Sequence, residues 1–342
     1  MQNPIEVLDR FQQRHRPAAF VFGVIKKFGD DAGSVLTALI TYYGFVAIFP
    51  LLLVFVTILG LLSTNSSFAH SLENSALAQF PVIGNQLKAN VSALHSGSVV
   101  GLVIGLLLAL YGSLGVSQAA QRAMAEVWNV PGVVRPGFFP RLTRSLTFLA
   151  VLAGNVLVTT GVTSLSTYGA QVGLFRNMAF KVGVEALVVL INVAVYWLAF
   201  RVLTPASIGT RELFPGAVLG GVGWTVLQGL GVYLVGHNLR HAGQVYGTFA
   251  LVLGTLAWIY VGAELSLYAA EVNVVLKNRL WPRSIVQPPL TDADREVLDR
   301  IASVGERRPE QHVESYFDGD DEAAGNGGGS ERRLGGTGDD TP

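Results

Sequence analysis

The chain has 342 residues, 50% of them hydrophobic and only 14% charged, with 39 glycines and no cysteine, and its mean hydropathy is +0.44. Soluble domains carry about 25% charged residues, so a chain this apolar reads as one dissolved in lipid; the missing cysteine excludes a disulfide scaffold, a cysteine-ligated metal centre and a thiol nucleophile. The net charge of zero hides an asymmetry, because residues 1–290 hold 18 Lys and Arg against 10 Asp and Glu while residues 291–342 hold 6 against 14. The chain is therefore a basic apolar body with an acidic tail.

Residues 1–31 form a leader. Within it Pro17 to Phe28 (PAAFVFGVIKKF) puts apolar residues ahead of two lysines, which suits either a short helix in the cytoplasmic interface or a plain extension. No small-residue cleavage site follows a short apolar run, so the first span is expected to be a retained anchor. A bilayer core about 30 Å thick needs roughly 20 apolar residues in helical form. Six runs qualify, over residues 32–63, 98–118, 145–170, 182–203, 213–236 and 247–276. Pro50 predicts a kink in the first. Residues 64–97 connect the first two runs and are amphipathic, which predicts a pair of short outer helices.

Residues 32–283 thus read as a six-span membrane domain and 284–342 as a cytoplasmic acidic tail, largely disordered. In the tail, TDADREVLDRI (291–301) predicts a short helix with Thr291 as N-cap and Asp294 at the third position. Residues 319–342 are Gly-rich and acidic, a composition that cannot bury a core. Residues after about Gly305 are expected to be dispensable for folding. Orientation follows from the flanking cations: 14 Lys and Arg fall on one side of the six runs and four on the other, which predicts both termini in the cytoplasm. The fold class is an all-α integral membrane protein, a bundle of six transmembrane helices.

Several stretches resemble the YihY/BrkB family of bacterial inner-membrane proteins. They are Thr41-Tyr42-Tyr43 with Phe49-Pro50-Leu51-Leu52, Ala119 to Trp128 (AAQRAMAEVW), and Arg201-Val202-Leu203-Thr204-Pro205 with Phe214-Pro215-Gly216-Ala217. The last run contributes Tyr246-Gly247-Thr248, Leu256-Ala257-Trp258-Ile259-Tyr260 and Gly262-Ala263-Glu264-Leu265. Together they cover roughly residues 30–280 in the family's order. The resemblance implies a six-helix protein of the bacterial inner membrane connected with export across the envelope or with virulence. Some members have carried the label ribonuclease BN. That chemistry needs a carboxylate or histidine cluster and a basic soluble groove, whereas the soluble parts of this chain are short and mostly acidic; no nucleic-acid partner is expected.

Ionisable groups inside hydrocarbon cost roughly 2.5–3.5 kcal/mol each and tend to face a cavity or a partner. Glu185 lies near the outer end of the fourth run, and Glu264 and Glu271 lie in the sixth. Helical spacing puts Tyr260, Glu264, Tyr268 and Glu271 on one side of that run. Glu185, Asn192 and Tyr196 align similarly in the fourth, and Asn155 interrupts the third. These residues read either as a polar path through the bundle or as locks, with Glu264 and Glu271 pairing with Arg201, Arg211 or Lys277. Gly97, Gly101 and Gly105, and Gly216 with Gly220, make small-residue stripes that mark helix contacts. His237 and His241, in an outside loop, have ligand spacing but no acid nearby, so no metal is expected, and the lack of Walker or dinucleotide glycine patterns predicts no cofactor. Transport or export is the first reading, with membrane lipids as surroundings and a homodimer able to supply the second half that many transporters have. A structural or interaction protein of the envelope is the alternative. An enzyme is ranked last, for want of a paired nucleophile and base.

Overall fold

A computed structural model describes residues 4–61, 99–171, 178–205, 207–237 and 239–317. Among the described residues there are helices and no strands. They are α1 (Pro4–Arg14), α2 (Arg16–Asp30), α3 (Gly33–Leu61), α4 (Val99–Val127), α5 (Phe138–Gln171), α6 (Met178–Leu203), α7 (Phe214–His237), α8 (Leu239–Asn278) and α9 (Asp292–Ser303). The connection 64–97 and the segment 319–342 lie outside the described residues.

Helices α3 to α8 overlie the six apolar runs. By length and apolarity alone, Phe138–Thr159, Met178–Leu203, Thr210–Gly231 and Val252–Asn278 could each cross a membrane, and α2 with the first part of α3 makes a fifth candidate, bent by 65°. Helix α4 continues past Gln118 to Val127 because its extension is amphipathic: Ala119, Ala120, Ala123, Met124 and Val127 are buried while Arg122 stays exposed. An extension of that pattern is stabilised by packing against protein rather than by lipid.

The α2–α3 corner shows why these residues bend the chain. Pro17 starts α2, where its missing N–H is not needed. At the corner Ala32 adopts a φ of 53°, a left-handed conformation that side chains other than Gly adopt rarely. Gly33 follows because a Cβ there would sit 2.4 Å from the Phe28 ring, which folds over the corner. Helix α2 packs on α8 and buries Ala19, Gly23, Val24, Lys27 and Phe28.

The main core gathers at the end of the bundle where α1, α2 and α9 meet the long helices, which we call the collar. Val24, Phe28, Met124, Val127, Trp128, Phe200, Leu203, Leu213, Leu267, Val274, Leu280 and Val297 all belong to it. Burying each large aliphatic or aromatic side chain contributes about 1.5–3 kcal/mol. Toward the other end the apolar side chains turn outward, Leu107, Leu157, Leu190, Val226 and Leu230 among them. Such a surface has to be solvated by lipid or by other protein.

Helix α9 begins with the Thr291 cap: Thr291 Oγ1 accepts from the Asp294 amide, and the Asp294 carboxylate accepts from the Thr291 amide. Beyond α9 the chain remains engaged, because the Val133 amide donates to the Glu306 carbonyl at 3.0 Å. The segment after Gly305 thus keeps a contact with the body at Glu306, a backbone contact that has no signature in composition.

Candidate functional site

Two charged networks lie in the collar. In the first, residues 280–290 leave α8 and cross α1 and α2. Arg283, 1% exposed, donates from Nε to Asp294 Oδ1 at 2.5 Å and from Nη2 to Asp30 Oδ2 at 2.7 Å. Lys26 Nζ donates to the same Asp294 oxygen and to the Ser284 carbonyl, both at 2.7 Å. The other Asp294 oxygen accepts from the Ser284 amide and the Thr291 hydroxyl. Burial alone would raise the Asp294 carboxyl, but Lys26, Arg283, the Ser284 amide and Thr291 outweigh it and hold the group well below the usual carboxylate range. Asp9 on α1 does similar work, accepting from the Ile285 amide at 3.0 Å and from Gln13 at 2.8 Å. Burial again opposes, and the Ile285 amide, Gln12, Gln13 and the Val286 amide lower its carboxyl. Gln12 adds a bond to the Arg283 carbonyl at 2.6 Å.

The second network lies where α2 crosses α8. The side chains of Lys27, Asp31 and Glu271 are 0%, 1% and 0% exposed. Lys27 Nζ donates to Asp31 Oδ2 and to the Val127 carbonyl, the latter at 3.3 Å, and stands 4.0 Å from Glu271 Oε2. Asn129 donates to Asp31 Oδ1 at 3.1 Å. Neither Glu271 oxygen has a hydrogen-bond partner among the described residues. Above the cluster Phe28 stacks on Tyr268, with centroids 4.1 Å apart and planes 16° from parallel. One ammonium therefore meets two carboxylates in a place without water contact, an arrangement that is costly unless each charge is compensated.

Along α8, Glu264 is half-buried and makes no ion pair or hydrogen bond among the described residues, and Tyr260 is half-buried beside it. The partners foreseen for the acids are not the ones found. Lys277 pairs with Glu212 at 2.6 Å, and Glu271 meets Lys27 instead. Of the other polar residues, Asn192 bonds Thr225 of α7 at 2.9 Å and Tyr196 bonds Ser266 of α8 at 3.1 Å, so both tie α6 to its neighbours. Asn155 accepts from Thr159 on its own helix, and Glu185 is exposed. These side chains do not converge on one point with Glu264. His237 ends α7 and His241 falls in the first turn of α8, helices rather than an open loop.

Among the glycines, a Cβ on Gly216 would sit 2.0 Å from the Ala269 carbonyl oxygen and one on Gly220 would sit 2.4 Å from the Tyr196 ring. The Gly216 amide donates to Asn273 Oδ1 at 2.6 Å. Gly101 and Gly105 lie within α4, and Gly97 lies outside the described residues. Sequence reasoning missed Lys27, Asp31, Asn273, Arg283 and Asp294 as members of buried polar networks. For Lys27 a signal existed: it continues the small-residue face of Ala19 and Gly23 at steps of four.

Residues 24–290 match the family described as Virulence factor BrkB. The chain is 27% identical over 282 residues to the UPF0761 membrane protein Smlt0865 of Stenotrophomonas maltophilia, covering 75% of this chain and 62% of that relative. It is 23% identical to the UPF0761 membrane protein xcc-b100_3490 of Xanthomonas campestris, covering 82% of this chain and 66% of the relative. It is 24% identical to the inner membrane protein YhjD of Escherichia coli, covering 79% and 85%. The chain therefore spans less than two thirds of the length of the first two relatives. No solved structure matches it. With lipid-facing apolar helices and a family match that runs from α2 through the loop after α8, this is a membrane protein of the Virulence factor BrkB family.

Proposed function

We propose that the protein spans the bacterial inner membrane six times with both termini in the cytoplasm, and that it transports or exports a solute or a lipid-linked substrate. Lysine and arginine at the collar end support that orientation, and the inner-membrane assignment follows the name of the Escherichia coli relative. The observation that carries the transport reading is Glu264. It is a half-buried carboxylate without a bond among the described residues, on the helix whose next acid, Glu271, is sealed against Lys27 and Asp31. A lock would pair both acids; a path needs one available to water or substrate and a closed end below it. No step in this reading calls for a nucleophile, so the protein is taken not to be an enzyme.

The test is Glu264→Gln in cells that depend on the protein. Loss of the cellular phenotype with normal insertion and yield in detergent is expected, because Gln keeps shape and hydrogen bonding while removing charge. Full activity, or failure to assemble, contradicts the reading. The density of ion pairs in the collar favours a second reading, a non-transporting envelope protein that uses the collar as a platform, and under it Glu264→Gln is silent.

A further inference from the structure

A cleft of about 400 Å³ opens between α3, α4, α5 and the end of α6, lined by none of the ion-paired residues of the two networks described above. Its lining includes Arg122, Arg135, Arg141, Arg144, Gln121 and Tyr43. Four arginines thus line the cleft, and Glu126 is paired with two of them, 3.1 Å from Arg135 Nη1 and 4.0 Å from Arg122 Nε. Arg141 reaches only the Pro136 carbonyl, at 3.4 Å, and Arg144 makes no hydrogen bond among the described residues. Arginines that merely signal topology have no need to gather round one cavity, where like charges repel.

The surroundings indicate what would bind. Arg141 and Arg144 lie in the first turns of α5, immediately after Phe138 and Phe139, which are 71% and 77% exposed and stack edge-to-face on each other. Val134 is also exposed. Aromatic and apolar side chains presented at the start of a lipid-facing helix sit at headgroup depth, so the cleft opens where a phosphate meets its acyl chains. Guanidinium groups bind phosphate oxygens in paired, charge-assisted hydrogen bonds.

We propose that this cleft binds the phosphate group of an anionic phospholipid headgroup, with the acyl chains lying on Phe138, Phe139 and Val134. The site stands whether or not the protein transports anything. Soluble organic phosphates share the recognised group, and the test separates the two sources.

The experiment is native mass spectrometry of the full chain released from detergent, titrated with dioleoyl-phosphatidylglycerol, dioleoyl-phosphatidylcholine and, in competition, sn-glycerol 3-phosphate. Wild type is expected to hold phosphatidylglycerol about tenfold more tightly than phosphatidylcholine, and Arg122→Gln/Arg144→Gln to lose that preference. Arg10→Gln/Arg14→Gln, which changes exposed cations on α1, should keep it. Glu126→Gln frees Arg135 and should tighten the lipid severalfold, a gain that misfolding cannot mimic. Equal binding of the two lipids, a preference that survives the Arg122/Arg144 change, or no gain in Glu126→Gln overturns the site. Displacement of the lipid by micromolar glycerol phosphate overturns the lipid assignment in favour of a soluble phosphate.

Discussion

The collar and the far half of the bundle are built from the same long helices but packed differently. In the collar, α2, α4, α8 and α9 bury apolar side chains around charged ones, and Lys27, Glu271, Arg283 and Asp294 are almost wholly enclosed. In the far half, α5 and α6 expose leucine and valine on most faces, and α6 meets α7 through the Asn192–Thr225 hydrogen bond and close contacts at Gly220 and Gly221. The difference follows from the driving force. Where side chains are enclosed by protein, apolar burial contributes its transfer free energy and enclosed charges must be matched in detail. Where lipid surrounds them, apolar burial contributes little, and packing density and hydrogen bonds decide.

The sharpest break in this comparison is at Arg283. Removing it leaves Asp30 without its cation and Asp294 with Lys26 alone, so Arg283→Ala is expected to destabilise the protein by about 3–5 kcal/mol, read from denaturant unfolding in detergent. Arg14→Ala, an exposed change on α1, should cost less than about 0.5 kcal/mol. The same network sets an acid limit. The folded Asp294 carboxyl lies below its ordinary value of 3.8, so its contribution is complete above that pH and is lost as the pH falls toward the folded value. Asp294→Asn should be less stable at neutral pH and show a shallower loss between pH 5 and 2.

Glycines give a smaller contrast. Gly216→Ala would drive a methyl group into the Ala269 carbonyl and should cost about 1–3 kcal/mol. Around Gly154 a new Cβ meets nothing within 4 Å, and Gly154→Ala should be neutral or stabilising by up to about 1 kcal/mol through helix propensity. The tail gives the smallest. Ending the chain at Gly305 removes the Val133–Glu306 hydrogen bond, worth about 1 kcal/mol, whereas ending it at Phe317 removes only Gly-rich acidic sequence and should leave the unfolding midpoint unchanged.

Helix positions were legible because apolar runs of bilayer length have few other meanings, and the α9 cap because Thr291 and Asp294 have the spacing of a capping box. Gly216 and Gly220 were legible as contacts for the same local reason: a stripe of missing side chains lets another helix approach. The charged partners were not legible. Lys27 to Glu271 and Arg283 to Asp30 pair residues more than two hundred positions apart, and spacing along one helix says nothing about which helix crosses it. Proximity to the sixth run made Lys277 the natural candidate for Glu271, but the Thr210–Leu213 turn brings Glu212 to Lys277 first. The arginines between the second and third apolar runs were countable as an orientation signal, yet their gathering round one cleft depends on how α5 starts against α4.

The transport reading requires α8 to carry a wet face, closed at the collar. Because the chain has no cysteine, single cysteines can be placed along α8 at Tyr260 and Glu264 and, on other sides of the helix, at Ile259 and Leu265, which pack against Gly44 of α3 and Gly223 of α7, and treated in native membranes with a charged, membrane-impermeant thiosulfonate. Only thiolate reacts, and thiolate needs water, so Tyr260→Cys and Glu264→Cys should label about tenfold faster than Ile259→Cys and Leu265→Cys. Labelling that is equally slow at all four positions, or fastest at Ile259 or Leu265, would show a dry face and contradict that reading.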